Sequence, residues 1–311
     1  MTLIDFIKSY PDELSCKSKF RAYREEVGVI CPKCGGKSHY WKQDKEAYEC
    51  KSCKYRQSLR ANTVMHKSKL PYRHWFIAMH LLTSTKKSFS AKEIQRQLGH
   101  NRYHPIWHMA HKLRTAMGKR EGEYVLAGRI ELDEGYFSTE RPVSEKDKEL
   151  KRGRGSQKKT KVIVMAESEF VASPKKGQKP RRVGYLKMKV IDNLKSETIN
   201  ETVKMLASKS IEIDTDASTS YVDLKNFVPS HNAQVIPKEK VGEILPWVHI
   251  AISNSKRQII NTFHDVKPEF LQKYLDEFCY KFNRRYLGEA LFNRLLVACV
   301  GYKNEFRYVY G

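Results

Sequence analysis

Residues 129–137 read RIELDEGYF. The stretch is short and apolar, and it predicts a strand. Downstream, KVIVMAES (161–168) and VGYLKMKVI (183–191) predict two more strands. SETINETVKMLAS (196–208) predicts a helix with Ser196 as its cap, and IEIDTD (211–216) a fourth strand. The order β-β-β-α-β is the signature of an α/β domain. After Trp247 the chain returns to helix. Leu271, Tyr274, Leu275, Phe278 and Phe282 trace one apolar stripe, and a second apolar helix follows near 290–300.

Two acids matter in this frame. Asp133 and Asp216 are each expected where an apolar strand gives way to polar loop. Acids at the ends of adjacent strands converge on divalent cations, because hard Mg²⁺ prefers oxygen ligands. A pair of such ions activates the attacking oxygen and stabilises the leaving one in phosphoryl transfer. The alternative for either acid alone is a solvated strand-end Asp; the pairing across this element order favours a site. Glu134, Asp214 and Asp223 are rival ligands. Strand alternation puts Asp214 on the same side as Asp216.

The charge points to a polyanion. Fifty-eight basic residues against 35 acidic ones give a net charge of +23. DNA, RNA or an anionic surface is the matching partner. Two runs carry much of it: KELKRGRGSQKKTK (148–161) and PKKGQKPRRVGYLKMK (174–189), each with seven bases, flank the second strand. One such run reads as a solvated face; two around a strand favour a phosphate-backbone surface. Hydrophobic residues at 40% exclude a disordered chain. No stretch reaches the roughly 18 apolar residues of a spanning helix, and MTLIDFIKSYPDEL lacks the features of a secretory signal. A cytoplasmic protein with reduced thiols and no membrane partner is the expectation.

Reduced thiols need another use than disulfides. Cys31 and Cys34 form one C-x₂-C pair, Cys50 and Cys53 another, fifteen residues apart. This is the spacing of a Cys₄ zinc site. Four thiolates close the tetrahedron, so one structural Zn²⁺ is expected. His39 is a conceivable substitute ligand that two complete pairs make unnecessary. Tyr40, Trp41 and Tyr48 alternate with charged residues between the knuckles, as in a ribbon hairpin, and suit packing over the metal or contact with nucleic acid. Cys16, Cys279 and Cys299 fall in helical patterns as packing residues.

Helices flank this module. Leu3, Phe6 and Ile7 share a face near the N-terminus. PYRHWFIAMHLLTS (71–84) predicts a helix with Pro71 in its first turn. SAKE (90–93) is a capping box for a helix that stops at Gly99. A third helix covers 104–118. The last two suit a helix-turn-helix presenting Arg102, His104, His108 and Lys112, with a plain helical connector as the alternative.

The ordered set CPKCG…CKSC, ELDEGYF, the GRG loop with KKTKV, DTDASTSY, and WVHIAISNSKR followed by LQKYLDEFCYKFNRR spans nearly the whole chain. It resembles the zinc-ribbon DDE transposases of bacterial insertion sequences. The resemblance implies an RNase H-like catalytic domain, a mixed sheet with flanking helices, at 123–311. Before it come an N-terminal helical segment (1–28), a zinc ribbon (29–62) and the helix-turn-helix-like region (63–122). It further implies two Mg²⁺ (or Mn²⁺) ions, element termini and target DNA as partners, and a homodimer or larger synaptic assembly in a bacterial cytoplasm.

Residue by residue, Asp133 and Asp216 match the first two catalytic acids. The third comes from the helix after the last strand, and here the sequence departs. HIAISNSKRQII (249–260) holds no acid, and none lies between Glu243 and Asp265. The match to ISNSKR implies Asn254 as the third Mg²⁺ ligand, with Lys256 beside it. A carboxamide oxygen ligates Mg²⁺ without bringing charge; Lys256 would offset phosphate charge, and His249 would orient water or touch a phosphate. Glu243 is the rival third ligand. The missing acid keeps a second reading open, a catalytically inactive zinc-ribbon DNA-binding protein derived from such an enzyme. A zinc-ribbon RNA or transcription factor is a third, which leaves the two acids without use.

Overall fold

Thr2 and Asp12 start the first two helices, α1 (Leu3–Ser9) and α2 (Glu13–Val27), and each closes a capping box, with Asp5 and with Ser15. Phe6 packs inward, but Leu3 and Ile7, expected on the same buried face, are 62% and 53% exposed. Two turns of helix bury one edge only, and Phe6 with Tyr10, four residues on, takes it. Three short antiparallel strands follow: β1 (His39–Lys42), β2 (Ala47–Cys50) and β3 (Arg56–Ser58). Then come α3 (Tyr72–Ser84), α4 (Ala91–Leu98) and α5 (Tyr103–Gly122). Ser90 caps α4 by accepting from the Glu93 N–H at 3.1 Å, but the box is half made, because the Glu93 carboxylate turns to Arg96 and Gln97. Gly99 ends α4 in the left-handed conformation, φ 60°.

The computed structural model describes residues 1–306 apart from 146, 148, 178, 236, 238–240 and 265. Lys148 and Gln178 of the two basic runs, and Asp265, therefore lie outside the described residues. The chain divides into two compact units: Met1–Lys119 with Tyr286–Gly311, and Arg120–Arg285. The sequence places residues 290–311 with the catalytic domain. By packing, the last helix, α10 (Ala290–Gly301), joins α2 and α3 in the first unit. Phe292 of α10 is the reason: its ring lies 5.8 Å from Phe6, 5.5 Å from Tyr10 and 5.8 Å from Phe76. Among the described residues no helix is long and apolar enough to cross a membrane.

The second unit is a mixed α/β fold. Strands β4 (Arg129–Ser138), β5 (Lys159–Phe170) and β6 (Arg181–Ile191) form an antiparallel meander. After α6 (Ser196–Leu206), β7 (Glu212–Asp216) returns parallel to β4, and β8 (Ser230–Gln234) lies parallel to β7. The sheet order is β6-β5-β4-β7-β8. α6 buries Ile199 and Val203 against one face, with Ile130, Leu132 and Ile213. The chain then passes through α7 (Val241–Ile244) to α8 (Pro246–Thr262) and α9 (Pro268–Asn283), which cover the other face through Val248, Ala251, Leu271 and Leu275. A five-stranded mixed sheet flanked by helices is the RNase H-like architecture expected of this chain.

Two features of the unit were hidden in the sequence. SHNAQ, β8, is almost entirely polar and exposed, so no hydrophobic pattern marks this edge strand. At the other edge, side-chain amides of α9 satisfy β6: Gln272 accepts from Val190 N–H (2.8 Å) and donates to Met188 O (3.0 Å), while Asn283 accepts from Leu186 N–H (2.8 Å) and donates to Leu186 O (2.9 Å). An edge whose backbone groups are met this way offers no free ladder to another chain.

Candidate active site

Asp133 does not end its strand. β4 runs on to Ser138, because β5 pairs with it from Ile130↔Glu167 to Ser138↔Lys159. What ends near Asp133 is the neighbour on the other side. β4 and β7 pair in parallel as Arg129↔Glu212, Ile130↔Ile213 and Glu131↔Asp214, and the same offset sets Asp133 beside Asp216, the last residue of β7. Adjacent strands lie about 4.8 Å apart, so two carboxylates share one edge of the sheet. Asp216 is fixed by its own turn, its Oδ1 accepting from Ser218 N–H at 3.1 Å. Burial first, then Glu134 and Asp216 nearby, push the Asp133 carboxyl up to about 7, against the donation from Glu134 N–H. A site that penalises negative charge in this way suits a cation.

The rival acids are engaged elsewhere. Asp214 accepts from Arg129 Nε (2.5 Å) and Nη2 (2.9 Å). Glu134 faces the other side of the sheet, where the buried Tyr221 hydroxyl donates to it at 2.6 Å. Asp223 is half-buried in the turn after β7, and Glu243 is exposed in α7.

Alternate residues of β4 meet successive turns of α8. The Glu131 carboxylate accepts from Trp247 N–H (2.7 Å) and Val248 N–H (3.1 Å) at the start of the helix. Asp133 Oδ2 lies 3.4 Å from His249 Nδ1. Gly135 comes next: a Cβ there would lie 3.5 Å from Ile252 and 2.9 Å from the Phe137 ring, so the helix approaches closely. The Lys256 ammonium sits 5.6 Å over the Phe137 ring.

His249 and Lys256 thus border the carboxylates. Burial holds the His249 imidazole below its ordinary range, with Asp216 opposing, and its buried Nε2 has no hydrogen-bond partner among the described residues. Burial, then Lys159, lowers the Lys256 ammonium, with Asp133 opposing. Lys159 is the cation that sequence reasoning missed; it was one base among seven in its run, and only its pairing with Ser138 brings it here. Asn254 is exposed. At 3.6 residues per turn it lies about 140° round α8 from His249, whereas Lys256 lies about 20° from it. The structure brings Asp133, Asp216, His249 and Lys256 together and leaves Asn254 on another face of the helix.

The sequence profile of the ISXO2-like transposase domain matches residues 125–283, half of the chain. That stretch holds the whole mixed sheet, both carboxylates and α8. The chain belongs to the ISXO2-like transposase family. Among curated proteins no relative matches it.

Outside the matched stretch, this family member carries a closed set of thiols. The Sγ atoms of Cys31, Cys34, Cys50 and Cys53 all lie within 4.8 Å of one another, the one such cluster of ligand groups among the described residues. Cys31–Cys53 and Cys34–Cys50 are 3.5 and 3.6 Å apart; a tetrahedron of about 2.3 Å bonds has edges of about 3.8 Å. The two knuckles repeat one backbone design. Gly35 N–H donates to Cys31 O (2.9 Å) and Lys54 N–H to Cys50 O (3.0 Å), with Gly35 and Lys54 both at positive φ. N–H groups of Cys53 and then Ser52 hold the Cys50 thiol down at about 6, against burial, while, against the Gly36 N–H, the Cys53 and Cys50 sulfurs push the Cys34 thiol up, so Cys50 is favoured as thiolate at the expense of its neighbour. The four residues fit Zn²⁺. His39 instead contacts Gln57.

The ribbon aromatics split. Tyr48 is buried, and Trp41 packs under the Arg21 guanidinium, 4.2 Å from its centroid. Tyr40 stays half exposed, with Lys51 4.8 Å from its ring. The two basic runs also divide. In the first, Lys151, Arg152, Lys158 and Lys159 are exposed. In the second, Arg181 binds Ser168, Arg182 pairs with Glu169 at 2.8 Å, and Lys187 is buried in β6, so it offers less free charge than its seven bases suggest.

Proposed function

We propose that the protein is an active DNA transposase, binding element ends and catalysing metal-dependent strand cleavage and strand transfer. The observation that carries this is the parallel register that sets Asp133 beside Asp216 under α8. Two neighbouring carboxylates in a site that disfavours uncompensated negative charge suit Mg²⁺ or Mn²⁺. Bound there, such ions would lower the barrier to in-line attack on a phosphodiester by water or a 3′-hydroxyl. Asp133 and Asp216 would hold them, with Asn254 as the expected third ligand and His249 Nδ1 3.4 Å from Asp133. Neutral His249 has a free Nε2 to accept a proton from, or orient, the attacking oxygen. Lys256 and Lys159 would balance charge building on the phosphate. The Cys₄ ribbon and the α4–α5 pair would engage terminal DNA, and holding two ends calls for at least a homodimer.

The exposure of Asn254 favours one second reading, a DNA-binding protein that has lost catalysis. Strand transfer of a labelled DNA end in Mg²⁺ separates the two, with Asp133→Asn and Asp216→Asn alongside. Transfer abolished by both substitutions supports the enzyme. Wild-type transfer that survives them removes the site assignment, and no transfer at all favours the inactive reading.

A further inference from the structure

A cavity of about 1310 Å³ in the first unit, open to solvent, has three walls. One is the loop 62–70 with the start of α3 at His74 and Trp75, the second is the α4–α5 turn with the first half of α5, and the third is the C-terminal segment at Lys303, Asn304 and Phe306. Lys67, Lys69, Arg102, Lys112 and Lys303 line it together with four histidines, and among the described residues no Asp or Glu does. In a chain with 35 acids, their absence from so large a surface is a feature.

The walls are built to stay. Val64 N–H donates to Cys299 O at 3.0 Å, and Asn304 N–H to Thr63 O at 3.3 Å, so the two distant chain segments are laced together. The Phe306 ring stacks on His111 of α5, 5.1 Å between centroids. Lys112 spans the floor, its ammonium donating to His66 O at 2.9 Å. Asn62 and Lys67 both hold left-handed backbone, φ 58° and 59°, a conformation that a lysine adopts only when its surroundings impose it. Around His66, burial and then Lys67, Lys112 and Lys303 keep the imidazole below its ordinary range; the cations of three separate chain segments therefore converge on one stretch of the trough.

We propose that this trough, completed by the C-terminal segment, holds the phosphate backbone of duplex DNA without reading its sequence. An open channel with cations spread over three walls matches an extended polyanion rather than a single small anion. The proposal rests on the transposase reading for the identity of that polyanion. It goes beyond it in seating the duplex in the groove that the α4–α5 turn shares with the loop 62–70, and in adding Lys303 of the C-terminal segment to the contact.

The test uses the full chain and the double variant Lys67→Asn, Lys303→Ala. Both lysines are exposed, and Asn tolerates the left-handed backbone at 67. Affinity for a terminal duplex and for a scrambled duplex is measured from about 50 to about 200 mM salt. Each lost phosphate contact flattens the log–log slope by about 0.9, so the double variant should flatten it by about 1.8, equally on both duplexes. Zinc content should not change, and Lys303→Arg should keep the wild-type slope. An unchanged slope overturns the proposal, as does a loss confined to the terminal duplex, which would mean base reading. Wild-type protein that shows no salt-dependent DNA binding sinks the DNA reading itself.

Discussion

Glu131 and Trp247 are joined by a 2.7 Å hydrogen bond, the Trp247 N–H donating to the Glu131 carboxylate, which accepts from Val248 N–H as well. A strand side chain thereby caps the helix that carries His249 and Lys256. A carboxylate at a helix N-terminus satisfies orphan N–H groups and opposes the positive end of the helix dipole. Two residues on, Asp133 lies on the same face of β4. The register between acid and helix is therefore set beside the site itself.

Glu131→Ala should cost about 1–3 kcal/mol, because it strands buried N–H groups, and it should slow strand transfer beyond what the stability loss explains. Glu131→Gln keeps a carbonyl acceptor in place and should recover most of both. Thermal unfolding and single-turnover transfer at saturating DNA read the two effects. Equal activity in the Ala variant and wild type would mean that the cap does not position α8.

Asp133 is a buried acid next to other acids, and neutralising it should relieve that penalty. Asp133→Asn is expected to raise the unfolding midpoint of the metal-free protein while abolishing transfer. Mg²⁺ should stabilise the wild type, by about 2.7 kcal/mol at one hundred times the dissociation constant, and leave the variant unmoved. Equal Mg²⁺ stabilisation of both proteins would place the cation elsewhere.

A pH dependence follows from Asp276 in α9. Burial pushes its carboxyl up to about 6, with the Gln272 amide opposing. A raised carboxyl binds its proton more tightly in the folded state than in the unfolded chain. Stability from this group is therefore full below about pH 4 and is lost as pH rises through about 6. Asp276→Asn should flatten that part of the profile, which denaturant titrations between these pH values would measure. A slope identical in variant and wild type would assign the dependence to another group.

The sequence was most legible where a local rule fixes geometry. Two C-x₂-C pairs specify a thiolate cluster whatever surrounds them, and apolar runs specify strands that bury both faces. It was least legible where the partner is remote. Nothing in RIELDEGYF tells Asp133 from a strand-end acid; the early end of β7 opens the site beside it. Glu131 looks like an ordinary strand acid until α8 docks on it. Lys159 joins the site through a pairing made across a long loop. α10 has the apolar pattern of any buried helix, and only the Phe292 cluster assigns it to the first unit.

Asn254 carries the last prediction. The family resemblance puts it in the third ligand position, yet it is exposed on another face of α8 from His249. An exposed, uncharged side chain contributes little to the fold, so Asn254→Ala should leave zinc content, DNA affinity and unfolding midpoint near wild type. The resemblance predicts that strand transfer in Mg²⁺ is abolished, with substrate phosphates completing the metal shell, whereas the position of Asn254 about 140° round α8 from His249 predicts that transfer survives. His249→Ala should lose about 10²–10⁴-fold in rate, with a shifted pH profile, since its Nε2 is available for proton transfer. If Asn254→Ala keeps full activity while His249→Ala does not, the third position belongs to His249, and the helix serves the site through the face that meets β4.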